Sequence, residues 1–255
     1  MAVFDGIESV SSLVVGAGQG IGLEFVRQLL KDDSGTRVFA TYRAAPSVEL
    51  STLAAQFPDR LILVPMDITD EVQIAAGIEH IKHHTARLHL VMYCVGMLHD
   101  ENLQPEKSLQ QVQADSLLSY FQINSIGAVL LAKHILPLLK HGDRSVFAAI
   151  SAKVGSIGDN ELGGWYGYRA AKSALNMLMR TAAIEYRRKS PHTLIVLLHP
   201  GTTDTRLSKP FQRNVPPEKL FPVERTVAQL LTVISGLQPG DSGSFFSWDG
   251  SRLPW

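Results

Sequence analysis

The sequence predicts an α/β fold: a doubly wound parallel sheet inside a three-layer α/β/α sandwich, one domain over residues 1–255. Three observations predict it. Short apolar, β-branched runs alternate with helical patterns along the chain, and repeated βα units imply a parallel sheet covered by helices on both faces. The first run, Leu13-Val14-Val15, breaks into Gly16-Ala17-Gly18-Gln19-Gly20-Ile21-Gly22 and continues as a helical pattern with Ile21, Phe25 and Leu29 on one stripe. A chain of 255 residues with 45% hydrophobic content can bury a sizeable core.

Taken in order, Leu13–Val15 is the first strand and Ile21–Lys31 its helix. Arg37–Tyr42 (R-V-F-A-T-Y) is the second strand, Val48–Gln56 a short helix, and Leu61–Pro65 the third strand, ending in Met66-Asp67-Ile68-Thr69. Glu71–His83 is helical and the apolar run Leu88–Val95 is the fourth strand. Asp115–Leu139 is a long helix bent before Pro137, because proline removes a backbone donor. Ser145–Ile150, Leu194–Leu198 and Gly243–Ser247 complete the strands, with helices at Trp165–Lys189 and Val223–Ile234. From Ser208 to Pro222 the prolines 210, 216, 217 and 222 fall without periodicity. So long a loop in a compact domain is often a lid or binding loop, and a substrate loop is expected around residues 206–222.

The formal net charge is zero, which leaves no electrostatic footprint for nucleic acid or an anionic membrane. Cys94 is the one cysteine, so an intramolecular disulfide and a cysteine-based zinc site are excluded. No apolar stretch reads as long enough to span a bilayer, and Met1 to Ser12 lack a signal-peptide pattern. A cytoplasmic location is the expectation. His80, His83 and His84 read as a solvated helix end without matching acids, so no metal is expected, and His199 beside Pro200 reads as packing.

Two features carry chemistry. Tyr168 and Lys172 stand four residues apart on a helix, one turn above each other. An ammonium beside a phenol favours the phenolate, so the spacing predicts a lowered Tyr168 pKa and a group that exchanges a proton near neutral pH. Such a pair alone is usually a solvated face; the glycine turn gives it weight. There, glycines let the backbone turn sharply and approach a ligand, and the helix start offers free N–H groups to a pyrophosphate.

With both features placed, the chain resembles the short-chain dehydrogenase/reductase family over essentially its whole length, closest to its C-factor-like subgroup through F-F-S-W-D-G-S-R-L-P-W, S-A-K-V-G-S-I and G-G-W-Y-G-Y-R. The resemblance implies a Rossmann fold. It makes Gly16, Gly18, Gln19, Gly20, Ile21 and Gly22 the phosphate turn, and Asp67 with Ile68 the adenine contact. Gly96 is what remains of the family's N-N-A-G, here Tyr93-Cys94-Val95-Gly96. Pro200, Gly201, Thr203 and Thr205 match the P-G-x-x-x-T segment at the nicotinamide. Asn124, in F-Q-I-N-S-I-G-A, matches the asparagine that completes the catalytic set with Tyr168 and Lys172.

Two further departures matter. Val15 replaces the threonine before the first glycine. In S-S-x-x-G the second serine is catalytic; here the run is Ser151-Ala152-Lys153-Val154-Gly155, so Ala152 falls in that slot. Ser151 is the assignment if a local shift turns its hydroxyl inward, and Ser156 is a further candidate.

The cofactor can be argued physically. An acid at the end of the second strand would bind the ribose 2′-OH and repel a 2′-phosphate. Thr41-Tyr42-Arg43-Ala44-Ala45 contains no acid. Arg43 suits a phosphate, and Tyr42 can stack on adenine, so NADP(H) is expected.

The resemblance then implies hydride transfer between the nicotinamide and a small-molecule carbonyl. Tyr168 would supply the proton, Lys172 would tune it, Asn124 would hold a water for proton resupply, and Ser151 would polarise the carbonyl. Leu98, His99, Trp165 and Tyr166 are candidates for the substrate wall. The long helices carry apolar residues beyond one stripe, which predicts a homodimer or homotetramer. An alternative stays open: an NADP(H)-binding sensor or signalling protein that kept the fold and lost turnover.

Overall fold

The computed structural model describes residues 4, 7, 9–31 and 35–255. In chain order the first half comprises β1 (Ser11–Val15), α1 (Gly20–Lys31), β2 (Arg37–Tyr42), α2 (Val48–Gln56), β3 (Leu61–Pro65), α3 (Glu71–Lys82), β4 (Leu90–Tyr93) and α4 (Ala114–Phe121). After it come α5 (Gly127–Leu139), β5 (Ser145–Ile150), α6 (Tyr166–Lys189), β6 (Thr193–His199) and β7 (Thr202–Thr203). The chain closes with β8 (Leu220–Phe221), α7 (Val223–Gly236) and β9 (Phe245–Ser247).

Seven strands form one parallel sheet in the order β3-β2-β1-β4-β5-β6-β9. The chain winds outward from β1 to β3, then returns to set β4 beside β1, in register Val15 to Tyr93. Where the winding direction reverses, the loops after β1 and β4 part and leave a crevice at the strands' carboxyl ends.

Successive strand residues face opposite sides. Leu13, Val15, Phe39, Val91, Tyr93 and Phe147 pack on one side with residues of α3, α5 and α6. Val14, Val38, Ala40, Met92, Val146 and Val196 pack on the other with α1 and α7. The doubly wound, three-layer expectation is met, and most boundaries move by one or two residues.

The expected helix Asp115–Leu139 is continuous but not uniform. A π-helical turn, Gln122–Ile126, separates α4 from α5, so the irregularity lies well upstream of Pro137, which sits inside α5 near its end. By length and composition the stretch Ala114–Leu139 is apolar enough to cross a membrane, contrary to the sequence expectation, but half of its most apolar window is buried within this fold. The proline-rich segment is also more ordered than expected: β7 pairs with β8, and helical turns fill Lys209–Asn214 and Pro217–Lys219 between them.

The end of the chain turns back on the sheet. Arg252 bridges antiparallel to Phe246, Leu253 N–H donates to the Phe245 carbonyl, and Ser247 N–H donates to that of Ser251. Trp255 stacks on Phe245, and its carbonyl accepts Gly158 N–H.

Candidate active site

The glycine turn occupies the β1 side of the crevice. Gly16 and Gly20 have φ of 81° and 54°, a region that favours glycine. A Cβ on Gly22 would lie 2.2 Å from the Gly16 carbonyl oxygen, so α1 can begin this close to β1 only with glycine there. Thr41 fixes the turn from β2: its Oγ1 accepts Gly16 N–H at 3.1 Å and its carbonyl accepts Ala17 N–H at 3.1 Å. Sequence reasoning gave Thr41 no such part.

Two adjoining cavities of about 340 and 410 Å³ run along this turn. Gly16, Gln19, Tyr42, Arg43 and Gly96 line both; Gly18, Gly20, Ile21 and Gly22 line the second, Asp67 and Ile68 the first. Asp67 Oδ1 also accepts from the backbone and hydroxyl of Thr69, at 2.9 and 2.7 Å, which sets its side chain at the end of β3. Arg206 lines both cavities as well; sequence reasoning set it at the start of the substrate loop and gave it no part beside the glycine turn. It follows Thr205, whose Cγ2 lies 3.4 Å from where a Gly20 Cβ would be, so the loop after β7 rests on the start of α1.

A third cavity, about 360 Å³, is continuous with these through Val95, Gly96 and Leu207. Its lining includes Tyr168, Lys172, Ser151, Ala152, His199, Pro200, Gly201, Thr203 and Thr205. Leu98, Val154, Trp165, Leu207, Phe211 and Val215 give it apolar walls.

Tyr168 and Lys172 stand in the first two turns of α6, both buried. Lys172 Nζ lies 5.8 Å from the Tyr168 ring centroid and donates to the Ile150 carbonyl at 3.1 Å. Burial dominates both groups. It pushes the Tyr168 phenol up and the Lys172 ammonium down, to about 8. The protein's own groups therefore do not lower the phenol as the spacing predicts: loss of hydration outweighs the nearby ammonium.

Asn124 lies in the π-helical turn, fully buried. Its Oδ1 accepts Met97 N–H and its Nδ2 donates to the Met97 carbonyl, each at 2.9 Å. Nδ2 also reaches the Tyr120 carbonyl at 3.1 Å. The π-turn widens the hydrogen-bond step, with Gly127 N–H reaching Gln122, and such turns recur at functional sites. Gly96 sits between: a Cβ there would be 3.4 Å from both Asn124 Oδ1 and Lys172 Nζ.

Ser151 is buried, and its Oγ donates to Asn176 Oδ1 on α6 at 2.7 Å. Asn176 in turn donates to the Gly155 carbonyl. Ala152 packs with the apolar group around Tyr168, and Ser156 Oγ accepts Asp159 N–H at 3.3 Å. Thr203 pairs with Thr226 Oγ1 on α7 at 2.9 Å, which anchors the P-G-x-x-x-T segment. His199 Nδ1 accepts Lys153 N–H, and burial lowers its pKa to about 4. Burial likewise pushes the Cys94 thiol up, a thiol kept protonated.

His80, His83 and His84 are exposed. Among the described residues another group gathers at the opposite end of the sheet: His89, His141 and Asp143, with candidate ligand atoms within 4.8 Å of one another. His89 Nδ1 accepts Ser11 N–H at 3.1 Å, so the neutral ring carries its proton on Nε2, the atom that faces Asp143. In that tautomer Nε2 has no lone pair to offer a cation.

Residues 11–216 match the profile described as adh_short, short chain dehydrogenase. The C-signal protein of Myxococcus xanthus is 34% identical over 148 residues, 58% of this chain and 84% of that protein. A 1-hydroxy-2-glutathionyl-2-methyl-3-butene dehydrogenase of Rhodococcus sp. (strain AD45) is 29% identical over 95% of this chain and 98% of its own. Among solved structures, NADPH-bound carbonyl reductase from chicken fatty liver superposes with a TM-score of 0.86 at 29% identity, covering 98% of this chain and 100% of that one. The Sniffer carbonyl reductase of D. melanogaster gives 0.85 at 25% identity, over 96% and 99%. A profile match across most of the chain, on a sheet and crevice of this layout, makes the protein a member of the short-chain dehydrogenase/reductase family.

Proposed function

We propose that the protein is an NADP(H)-dependent oxidoreductase that reduces an aldehyde or ketone to an alcohol, with Tyr168 as proton donor. The observation that carries this reading is one cavity lined by Tyr168, Lys172 and the beginning of the glycine-turn helix at Ile21. The names of the structural relatives, two carbonyl reductases, support it.

The crevice fits the cofactor. Gly16, Gly20 and Gly22 form a cradle that side chains would fill, beside the N-terminus of α1, where an anion is favoured. Arg43 follows β2, and Thr41 to Ala45 contain no acid to repel a 2′-phosphate. Bound NADP(H) supplies the hydride. The chain supplies the rest. Tyr168 gives its proton to the carbonyl oxygen. Lys172 holds a positive charge beside that phenol, and Asn124, bonded to both backbone groups of Met97, fixes the loop beside Lys172. Polarisation of the carbonyl by Ser151 requires its hydroxyl to leave Asn176. The apolar walls suit an apolar or aromatic carbonyl compound.

The test is NADPH oxidation with a panel of aldehydes, ketones, diketones and quinones. Removing the proton donor in Tyr168→Phe should lower turnover by about 10²–10⁴-fold. Undiminished turnover in that variant refutes the assignment. Ala152 in the serine slot and the Ser151–Asn176 bond favour a second reading, a cofactor-binding sensor. Tight NADPH binding with no turnover across the panel selects it.

A further inference from the structure

Helix α6 starts without help from its own sequence. Its N-cap residue is Trp165, which makes no side-chain capping bond. Trp165 is also the only non-glycine residue with positive φ among the described residues, at φ 52° and ψ 44°, and it follows Gly163 and Gly164 at 64° and 66°. A bulky side chain held there is a true outlier, and such strain persists only where the surroundings enforce it. The enforced residue matters to the cavity. Trp165 packs edge-on against Tyr168 and Phe211, with ring centroids 6.4 and 4.9 Å away, and forms part of the wall.

Asn160 Oδ1 accepts Gly163 N–H and Arg169 Nε donates to the Gly164 carbonyl, but Trp165 N–H and the first helical turn are held by one residue in the loop after β4. The Glu106 carbonyl accepts Trp165 N–H, and Glu106 Oε2 accepts Gly167 N–H at 3.2 Å. Glu106 thus holds the strained residue and the first turn of the helix together, from outside it. Its side chain is 3% exposed, and Oε1 has no hydrogen-bond partner. A buried carboxylate with an unpartnered oxygen is unfavourable and needs a reason. The helix N-terminus supplies part of the compensation, because it favours a negative charge. The fit around it is close: a Cβ at Gly167 would lie 2.2 Å from the Tyr120 ring and 3.0 Å from Glu106 Oε1. Tyr120 donates to the Leu98 carbonyl at 2.7 Å and meets Tyr168 edge-on, so the same loop holds both neighbours of the Tyr168 ring.

We infer that Glu106 is a positioning residue: through Gly167 and Trp165 it sets where the Tyr168 hydroxyl and the aromatic wall stand in the cavity. The inference rests on Tyr168 being the proton donor. It assigns Glu106 no contact with substrate or cofactor; Glu106 does not line the phosphate crevice, whose glycine turn and Arg43 stand on β1, α1 and the end of β2, so loss of its side chain should spare that crevice.

The experiment compares Glu106→Gln, Glu106→Asp and Glu106→Ala in the full-length protein. Each is measured for kcat, for KM with a carbonyl substrate the wild type reduces, for NADPH affinity by fluorescence titration, and for cooperative melting. Gln keeps an acceptor at the same reach and should rescue kcat to within about threefold of wild type, as geometry is retained. Asp keeps the charge but draws it back from Gly167, and Ala removes the acceptor; both should lose kcat by about 10- to 100-fold, the effect of a displacement near 1 Å at a reacting group. NADPH affinity should stay within about twofold in all three, since the bonds removed lie outside the crevice. Should Glu106→Ala fail to melt cooperatively, Glu106→Asp against Glu106→Gln decides. Wild-type kcat in Asp and Ala overturns the inference, as does a loss that falls equally on NADPH affinity, or a Gln variant as impaired as Ala. If Tyr168→Phe remains active, the donor assignment has failed. If Tyr168→Phe is inactive while the Asp and Ala variants are normal, only the role of Glu106 has failed.

Discussion

Arg43 and Arg206 line the same two cavities from different elements, which makes a test of two kinds of phosphate recognition possible. Arg43 follows β2, where a sequence can be read for preference toward a 2′-phosphate. Arg206 follows Thr205, which rests on Gly20, so it lines the cavities beside the glycine turn, where a pyrophosphate is expected. Arg43→Gln should therefore weaken NADPH binding by about 10- to 100-fold and leave NADH unchanged, whereas Arg206→Gln should weaken both alike by about tenfold, the range for charge-assisted hydrogen bonds. Titration of each variant with the two cofactors checks this. Arg43 was legible because strand ends are visible in sequence. Arg206 was not: nothing local tells that residue 205 will touch residue 20. Ala152, which counting back from Gly155 sets in the serine slot, lines the cavity as Ser151 does, but the Ser151 bond to Asn176 depends on how β5 meets α6.

Among elements, strands and most helices followed from apolar periodicity because the sheet is buried on both faces. The π-turn between α4 and α5 did not. Its apolar positions continue the helical pattern, and its cause is tertiary: the Asn124 side chain takes the Tyr120 carbonyl and both backbone groups of Met97. Asn124→Ala removes all three bonds, two of them to the half-buried Met97 and one to the buried Tyr120 carbonyl. It should cost about 3 kcal/mol, from several lost bonds at about 1 kcal/mol each with a desolvation penalty. The check is chemical denaturation, with the midpoint falling at unchanged slope. The order found between Ser208 and Pro222 has a comparable origin, since β7 pairs with β8 across a gap no short-range pattern spans.

For the molecule as a whole, the buried imidazole of His89 and the half-buried one of His199 contribute to the response to acid. Burial lowers His199 to about 4 and lowers His89 as well. An unfolded chain takes up protons on both near pH 6.5, while the folded chain refuses them, so their stabilisation is complete above that pH and is lost as pH falls toward 4. His199 alone accounts for up to about 3 kcal/mol over that window. Melting temperature measured from pH 8 to 4.5 should fall most steeply below 6.5, and a flat profile there rejects the argument. The same scale includes assembly. Leu118 on α4 and Met177 and Ile184 on α6, helices that pack together, are 68%, 67% and 47% exposed. A second copy of the chain is the expected cover, and light scattering should give a dimer or tetramer that Met177→Glu dissociates.

The returning chain end has a practical side. Since residues after β9 run back beside it, and Trp255 reaches the loop that also carries Lys153 and Val154 to the cavity, a nick in that return would loosen the margin of the sheet and one side of the chamber together. Limited proteolysis there should lower turnover and melting temperature in step.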